Sequence, residues 1–346
     1  MSRWPLTMMK PSGWFQIGWS TDFAIGEVVP KHYFGEELAI FRTETGALRA
    51  LDAYCAHMGG HLAHGGTICG EIITCPFHGW EWDGEGQNVR IPYQDRPNRA
   101  VRMRSWPVME RNDIVYLWHD RGGGGPMWAP PDVFDALGDD VAAAVYHPAH
   151  PDGEIRFGAR RLNPFLVLDN AADPAHFCTV HDSPSIPLVV SSEPDGHLFR
   201  VKLGFGKSWV TDPDTTTADA LDILEVGVGM SFTALGSTTH PFVVIVLSTT
   251  PIDDETSEMF QTVWLQRADG DERPERLAER FHRATHQLPR DIQIWEHQRY
   301  VDRPAWAVNE VRGFTALRRW ASAFYAPDQT PPRAELTRCT SADRRR

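Results

Sequence analysis

Residues 51–84 read "LDAYCAHMGGHLAHGGTICGEIITCPFHGWEWDG" and contain two Cys–His pairs. Cys55 and His57 are separated by one residue, and Cys75 and His78 are separated by two. Two such pairs on neighbouring loops can surround a single metal centre. In a chain with 5 Cys and 15 His, chance would produce this fixed pattern with an expectation on the order of 10⁻⁴. The segment therefore predicts a metal site.

Two kinds of metal centre could use these four side chains. Zinc sites usually pair Cys with Cys and His with His along the chain, whereas each pair here offers one of each. Mixed pairs suit a two-iron cluster in which both thiolates bind one iron and both imidazoles bind the other. Because neutral imidazoles replace two thiolates, such a cluster has a raised reduction potential. We expect an iron–sulfur cluster, with zinc as the alternative.

Composition limits the class of protein. A chain of 346 residues is long enough for two domains. The net charge of −12 argues against a nucleic-acid binder. No stretch approaches about 18 uninterrupted apolar residues, so no membrane span is expected. Five cysteines, two of them in the metal motif, do not suggest a disulfide framework, and we expect a cytoplasmic protein.

The first third of the chain has the pattern of β structure. It contains a hairpin signal with a turn at Thr45–Gly46, an Asp-Gly turn at 83–84, and a short apolar strand at 112–120. A Gly- and Pro-rich segment, "RGGGGPMWAPPD" at 121–132, follows and predicts a domain boundary.

The remainder has mixed α and β patterns. Strands are expected in the segments 154–162, 197–205, 224–235 and 241–252. Helices are expected from near Leu166, across 273–301 with a bend at Pro289, and across 315–325. Apolar residues near 221–235 and 241–247 are candidates to line a pocket.

A second set of candidate ligands lies in "LDNAADPAHFCTVHD", residues 168–182. On an ideal helix, Asn170, Asp173 and His176 lie along one side, whereas His181 is rotated from His176 by about 140°. The two histidines can share a metal only if the helix bends or ends between them.

Two histidines and one carboxylate form the facial triad of non-haem Fe(II) oxygenases. The carboxylate must come from elsewhere in the chain, and we expect it to be Asp291, which lies in "LPRDIQIWEHQRY" on the predicted C-terminal helix. Three other acidic residues are alternatives: Glu279, Glu296 and Asp302.

At the Cys–His pairs, and above all at "CPFHGW", the sequence resembles the Rieske [2Fe–2S] domain. The resemblance implies that Cys55 and Cys75 bind the inner iron and that His57 and His78 bind the outer iron. Three glycines are expected to let backbone amides approach the cluster sulfurs: Gly59, Gly60 and Gly79. Four nearby side chains are expected to have no ligand role: His61 and His64 as exposed loop residues, and Trp80 and Trp82 as packing residues.

The order of both constellations resembles the α subunit of Rieske non-haem iron ring-hydroxylating oxygenases, over roughly residues 14–325. The segments "LDAYCAHMGG", "CPFHGWEWDGEGQ", "IPY", "DIQIWEH" and "RRWASAFY" look most like 3-ketosteroid 9α-hydroxylase oxygenase components and the related cholesterol desaturases. After His181 the chain departs from that pattern, with "DSPSIPLVVSSEPDG" in place of aromatic-rich sequence.

The resemblance implies an α+β fold, with an N-terminal all-β Rieske domain followed by a helix-grip catalytic domain built on an antiparallel sheet and a long C-terminal helix. The expected division is an N-terminal extension at 1–13, a Rieske domain at 14–121, a linker at 122–132, a catalytic domain at 133–327 and a disordered basic tail at 328–346.

The resemblance also implies a function. We expect a monooxygenase that hydroxylates an apolar, polycyclic or steroid-like molecule with O2, using a [2Fe–2S] cluster and a mononuclear Fe(II). Electrons are expected from a separate NAD(P)H-dependent reductase, with or without a ferredoxin, because the chain has no GxGxxG motif. Five arginines form a candidate docking patch: Arg90, Arg96, Arg99, Arg102 and Arg104.

A homotrimer is implied as well, in which Asp173 bridges His176 to the His78 of a neighbouring subunit. Asp173 and Asn170 are the candidate catalytic residues beside the iron. Desaturation or dealkylation on the same scaffold remains an alternative. A Rieske electron carrier with a non-catalytic second domain and a zinc-binding module are alternatives of a different class.

Overall fold

The computed structural model describes residues 4–5, 8–205, 220–237 and 240–325. The predicted disordered tail lies outside the described residues. Strands dominate the N-terminal region, defined here as residues 13–119, and a large sheet flanked by helices dominates the C-terminal region, residues 133–325. The α+β architecture expected from the sequence is confirmed.

The N-terminal region contains ten short strands: β1 (Gly13–Trp19), β2 (Val28–Tyr33), β3 (Glu36–Arg42), β4 (Leu48–Asp52), β5 (Thr67–Cys69), β6 (Ile72–Thr74), β7 (Glu81–Trp82), β8 (Asn88–Arg90), β9 (Val108–Arg111) and β10 (Ile114–His119). They form three antiparallel sheets, with the orders β1-β10-β9, β2-β3-β4 and β5-β6-β7-β8.

Both predicted turns are present in this region. The hairpin of β3 and β4 turns through Gly46, whose φ of 90° favours glycine. Between β7 and β8, the Asp83 carboxylate accepts hydrogen bonds from the amides of Glu85 at 3.0 Å and Gln87 at 2.8 Å. Asp is favoured in turns because its carboxylate can accept such a hydrogen bond from the amide two residues later.

The described part of the C-terminal region contains seven strands: β11 (Glu154–Arg160), β12 (Leu188–Asp195), β13 (Leu198–Gly204), β14 (Ala220–Val226), β15 (Met230–Ser237), β16 (His240–Pro251) and β17 (Ser257–Leu265). They form one antiparallel sheet in the order β11-β17-β16-β15-β14-β13-β12. The segment 224–235, expected as one strand, is instead the end of β14, a turn and β15. Gly227, with a φ of 65°, reverses the chain there.

The helices among the described residues of this region are α1 (Val133–Leu137), α2 (Asp139–Ala142), α3 (Pro164–Leu168), α4 (His176–Thr179), α5 (Pro274–Thr285), α6 (Leu288–Trp295) and α7 (Val311–Ser322). The helix expected from near Leu166 is interrupted. α3 begins earlier, capped by the Asn163 side chain, and a 3-10 turn at Asp169–Ala172 separates it from α4. Pro174 lacks an amide hydrogen and cannot continue a helix ladder.

The helix expected across 273–301 is also two helices. The break lies between Thr285 and Leu288, and Pro289 occupies the first turn of α6 rather than a bend within one helix. Proline is favoured in a first turn because the amide hydrogens there have no partner within the helix. The apolar periodicity continues across the break, since both helices pack on the same sheet.

Side chains of β17 alternate between the two faces of the large sheet, and each face is covered by a different layer. Met259 packs with α6, and Val263 packs with Phe281 of α5. Phe260 and Trp264 point to the opposite face, where they join a core that includes residues of the N-terminal region. Successive side chains of a strand point to opposite faces, so one strand contributes to both layers.

The two regions share that core. Trp14, Tyr116 and Trp118 from the N-terminal region belong to the same buried cluster as Val244 and Phe260 from the large sheet. Polar contacts also cross between the regions: the Trp19 indole donates to the Thr262 hydroxyl at 2.9 Å, and Arg156 pairs with Asp22. The regions are therefore packed as one unit.

Candidate metal centres

The two cysteines of the opening motif lie in matching loops. The carbonyl of Cys55 accepts a hydrogen bond from the Gly59 amide at 2.9 Å, and that of Cys75 accepts one from the Gly79 amide at 3.0 Å. Both glycines have a φ near 70°, at 70° and 69°. This left-handed conformation strains other residues and explains the glycines of the motif.

Both thiols are buried and adjacent to each other. Burial and the neighbouring Cys75 thiol raise the pKa of Cys55 to about 11. A metal must displace the proton of such a thiol, since the thiolate is the ligand. There is no room for a side chain at Gly60, where a Cβ atom would lie 3.1 Å from the Cys75 sulfur.

The two histidines of the motif are nearer the surface. The His57 and His78 rings are 4.7 Å apart, and His57 stacks on Trp80 at 4.4 Å. The Nδ1 atom of His57 is buried and has no hydrogen-bond partner among the described residues. Two buried thiols, two half-buried imidazoles and an orphaned ring nitrogen fit a two-iron, two-sulfur cluster with inner thiolate and outer imidazole ligands.

Neighbouring side chains mostly behave as expected. Trp80 and Trp82 are buried in the core below the loops. His64 is exposed, but His61 is half-buried, with its ring against Tyr54. The expectation of an exposed loop residue was therefore wrong for His61, because the rings of Tyr54 and His64 pack against it.

The second constellation assembles on two short helices. Ligand atoms of His176, His181 and Asp291 all lie within 4.8 Å of one another. α4 ends at Thr179, so His181 lies beyond its last turn and can face the same point as His176. The predicted helix end between the two histidines is confirmed by this geometry.

Asp291 is the carboxylate that reaches this point. It is buried, and its Oδ2 atom lies 3.3 Å from His181 Nε2. The three alternatives lie elsewhere: Glu296 is near Arg160, Glu279 pairs with Arg283, and Asp302 is exposed.

The electrostatics of the two histidines differ. Burial alone would lower the pKa of His181, but the hydrogen bond and charge of Asp291 outweigh it and raise that pKa. Burial lowers the pKa of His176, which favours the neutral imidazole that a metal requires.

Both imidazoles are oriented by acceptors on the side away from the shared point. His181 Nδ1 donates to the Gln287 side-chain oxygen at 3.3 Å. His176 Nδ1 donates to the main-chain carbonyl of Asp173. Asn170 lies on the other side of this ring, with its side-chain nitrogen 3.2 Å from Nε2. Such partners fix the ring orientation of a metal-binding histidine.

The expected hydrogen bond from His176 to the Asp173 carboxylate is not made. Asp173 Oδ1 instead accepts from the amides of Ala175 at 3.0 Å and His176 at 3.2 Å, and Oδ2 is 4.0 Å from the ring nitrogen. The carboxylate caps α4 because the first amides of a helix have no partner within it.

Sequence reasoning missed two residues that position this site. Gln287 gave no signal beyond lying four residues before Asp291. Arg318, on α7, makes a two-pronged contact with the buried Asp169, at 3.0 Å and 2.6 Å. Asp169 precedes Asn170 in the 3-10 turn, so this ion pair holds the turn against α7.

Two cavities share His176 and Asn170 in their linings. One of about 240 Å³ is lined by Asn170, Asp173, His176 and Asp291, among others. The second, of about 140 Å³, lies between the helices and the sheet and is mostly apolar; its lining includes Phe177, Leu221, Ile223, Val228, Met230, Leu247 and Trp295. The expectation that apolar residues of 221–235 line a pocket is thus confirmed, whereas of 241–247 only Leu247 lines it and Val244 and Val246 belong to the core.

A chain with both kinds of donor set matches the class of the Rieske non-haem iron oxygenases, which combine a [2Fe–2S] cluster with a mononuclear iron. Residues 13–107 match the Rieske [2Fe-2S] domain, and residues 117–325 match the 3-ketosteroid 9alpha-hydroxylase C-terminal domain. The chain therefore belongs to the Rieske oxygenase family whose catalytic domain is of the 3-ketosteroid 9α-hydroxylase type.

Individual relatives agree. The chain is 30% identical to a cholesterol 7-desaturase of Hemicentrotus pulcherrimus, over 93% of this chain and 71% of that protein. It is also 30% identical to the oxygenase component of 3-ketosteroid-9-alpha-monooxygenase from Mycolicibacterium smegmatis, over 92% of this chain and 84% of that protein.

Solved structures support the fold. Dicamba monooxygenase bound to dicamba has a TM-score of 0.65 at 19% identity, covering 90% of this chain and 96% of that chain. NdmA of Pseudomonas putida CBB5 with caffeine has a TM-score of 0.66 at 16% identity, covering 94% and 97%. In the part of the chain that the structure describes, no helix is both long and apolar enough to cross a membrane.

Proposed function

We propose that this Rieske monooxygenase hydroxylates an apolar, polycyclic molecule of the steroid type. The observation that carries the proposal is the convergence of His176, His181 and Asp291 beside the apolar cavity of about 140 Å³. The overall reaction consumes O2, two electrons and two protons, and it yields a hydroxylated product and water. Relatives named for cholesterol and 3-ketosteroid chemistry support the substrate class.

The residues divide between two metal sites. Cys55 and Cys75 hold the inner iron of the cluster, and His57 and His78 hold the outer iron. When bound, the cluster supplies electrons and the mononuclear iron activates dioxygen.

His176, His181 and Asp291 hold the mononuclear iron on one side, which leaves the cavity side open to substrate. The Asp173 carbonyl and Gln287 keep the two imidazoles in the ligand orientation, with the outer nitrogens protonated. The apolar lining excludes water from the substrate face. Asn170 borders both cavities and contacts the His176 ring, which suits a catalytic positioning role.

The chain acts with a separate NAD(P)H-dependent reductase, directly or through a ferredoxin. The sequence contains no GxGxxG motif, and the bacterial relative is named as an oxygenase component. All five arginines of the candidate docking patch are exposed. Acidic electron carriers would be attracted to such a surface.

We further propose a cytoplasmic homotrimer in which electrons cross between subunits. Asp173 supports this arrangement, since one carboxylate oxygen caps α4 while Oδ2 accepts no hydrogen bond from the described residues, and the side chain lines the cavity of about 240 Å³. That oxygen is free to accept a hydrogen bond from His78 of a neighbouring subunit. The bridge requires the ring-shaped assembly that a threefold interface produces.

Iron counting tests the assignment of the metal sites. The purified protein should contain about three irons per chain, since a lone Rieske cluster accounts for two. Asp291→Ala should lower the count to about two and leave the visible spectrum unchanged, whereas the control Glu296→Ala should keep three. Two irons in the wild-type chain would support the electron-carrier alternative instead, and a colourless protein would support zinc.

Product analysis tests the reaction. The enzyme, supplied with a reductase, NADH and O2, should add one oxygen atom to a steroid, detected by mass spectrometry. Loss of two hydrogens without oxygen gain would identify a desaturase, and release of a small aldehyde would identify a dealkylase.

A further inference from the structure

Glu225 is a buried acid on the cavity side of the large sheet. In β14, the side chains of Leu221, Ile223 and Glu225 all line the cavity of about 140 Å³, whereas Leu224 and Val226 join the core on the opposite face. Alternation along the strand therefore directs a carboxyl group into an otherwise apolar surface. The same cavity is lined by His176 and His181, so the carboxyl shares it with the metal site.

The described residues offer this carboxyl few stabilising polar contacts. Only 4% of the residue is exposed, and among the described residues the Ser231 hydroxyl, donating to Oε1 at 2.9 Å, is its one hydrogen-bond partner. No arginine or lysine of the described chain contacts it. Burial raises the pKa of Glu225 to about 8, so the group is protonated at neutral pH. Because Oε1 accepts from Ser231, the proton is carried by Oε2.

A hydroxyl donor that faces an apolar cavity without a protein acceptor is unfavourable unless a ligand or a water molecule accepts its hydrogen bond. A purely structural role would be served by an apolar residue, which would complete the lining formed by Leu221 and Ile223. A neutral acid also discriminates among ligands: it favours an uncharged oxygen acceptor over an aliphatic carbon.

We propose that Glu225 is a specificity-determining residue that donates a hydrogen bond to a carbonyl or hydroxyl oxygen of an otherwise apolar substrate. The contact holds one end of the molecule on the sheet and so selects the carbon that faces the metal site. The inference rests on the proposed function, because it requires this cavity to be the substrate site.

Equilibrium binding under anaerobic conditions tests the proposal without turnover. Three probes share one skeleton: a steroid 3-ketone, the parent hydrocarbon steroid and the corresponding 3-amine. Binding is followed by quenching of tryptophan fluorescence, to which Trp295 in the cavity wall contributes. The proteins are the wild type, Glu225→Gln, Glu225→Leu and the control Asp222→Asn, which lies on the same strand but outside the cavity lining and pairs with Lys202.

The wild type should bind the ketone about tenfold more tightly than the hydrocarbon, as expected for one buried hydrogen bond. Glu225→Gln should keep that preference within about threefold, because its amide also donates. Glu225→Leu should bind ketone and hydrocarbon equally, and Asp222→Asn should behave as the wild type.

Two results would overturn the role of Glu225 alone: an unchanged ketone preference in Glu225→Leu with normal iron content, or tighter binding of the amine than of the ketone by the wild type. Failure of the wild type to bind any of the three steroids would overturn the proposed substrate class together with this inference. The Gln variant keeps the test valid if the Leu variant does not fold, since loss of the preference in Glu225→Gln also contradicts the hydrogen bond.

Discussion

Replacing Arg318 by leucine should destabilise the protein by about 3 kcal/mol at neutral pH, because the substitution leaves the Asp169 carboxylate buried without its partner. In the structure, the guanidinium contacts both carboxylate oxygens, and aromatic rings of Phe165 and Tyr300 flank it. This cost is at the low end of the range for breaking a buried ion pair, because Arg318 keeps some contact with solvent.

The pH dependence of this loss follows from the sign of the pKa change. Burial already raises the pKa of Asp169, and Arg318 opposes that effect. Without Arg318, the folded-state pKa rises further above the unfolded value of 3.8. When folding raises the pKa of an acid, the free energy of unfolding falls as the pH increases from the unfolded-state pKa to the folded-state pKa, by about 1.4 kcal/mol per pH unit. The cost of Arg318→Leu should therefore be smaller at pH 5.5 than at pH 7.5.

Urea denaturation of the wild type and Arg318→Leu at both pH values measures the loss in the free energy of unfolding. The control Arg319→Leu, on the same helix but exposed, should change the free energy of unfolding by no more than about 0.5 kcal/mol. In the double variant Asp169→Asn/Arg318→Leu the pH dependence should disappear. A cost below about 1 kcal/mol, or an equal cost at both pH values, would refute the view that the ion pair holds the turn at Asp169–Ala172.

Three further outcomes are expected. Cys75→Ser should abolish the visible absorption of the cluster while Cys69→Ser, at an exposed thiol, keeps it; a brown Cys75→Ser protein with an unchanged spectrum would contradict the ligand assignment. Asp173→Ala should keep about three irons per chain yet slow the reoxidation of the reduced cluster, measured by stopped flow with substrate and O2; near-normal rates would exclude the bridge between subunits. Glu225→Gln should stabilise the protein more at pH 7.5 than at pH 5.5, and the two gains in the free energy of unfolding should differ by about 2.7 kcal/mol. The reason is that ionisation of Glu225 in the wild type favours the unfolded chain between pH 4.5 and about 8. An equal gain at both pH values in urea denaturation would be inconsistent with a neutral buried acid.

Local features of the chain were sufficient to predict much of the site. Ligands of the cluster are close together in sequence, and their spacing and glycines fix the loop shape. Asp291 was predicted because it lies on a segment with a strong helical period, in "DIQIWEH", which resembles the family pattern. His181 can bind the same metal as His176 only if the helix ends between them, and "CTVHDSP" indicates such an end.

The remaining features depend on contacts between distant segments. Periodicity at 273–301 could not reveal the break before Leu288, since both helices present apolar residues to one sheet. Strand alternation distinguishes the two faces of β14 but does not indicate which face borders a cavity. Glu225 was therefore not recognised as a cavity residue within its largely apolar segment. The pairing of Arg318 with Asp169 joins residues 149 positions apart, and nothing local in either segment predicts it.

The core that Trp14 and Trp118 share with Val244 and Phe260 has a consequence for engineering. The Gly-rich segment at 121–125 is an obvious crossover point for a chimaera that exchanges the cluster-bearing half between members of the family. In this chain such a crossover would separate β1 and β10 from the sheet against which they pack and would mismatch large aromatic side chains at a buried seam. A productive crossover must instead lie within the peripheral sheets, so that strands β1 and β10 stay with the large sheet and only the loops carrying the cluster ligands are exchanged.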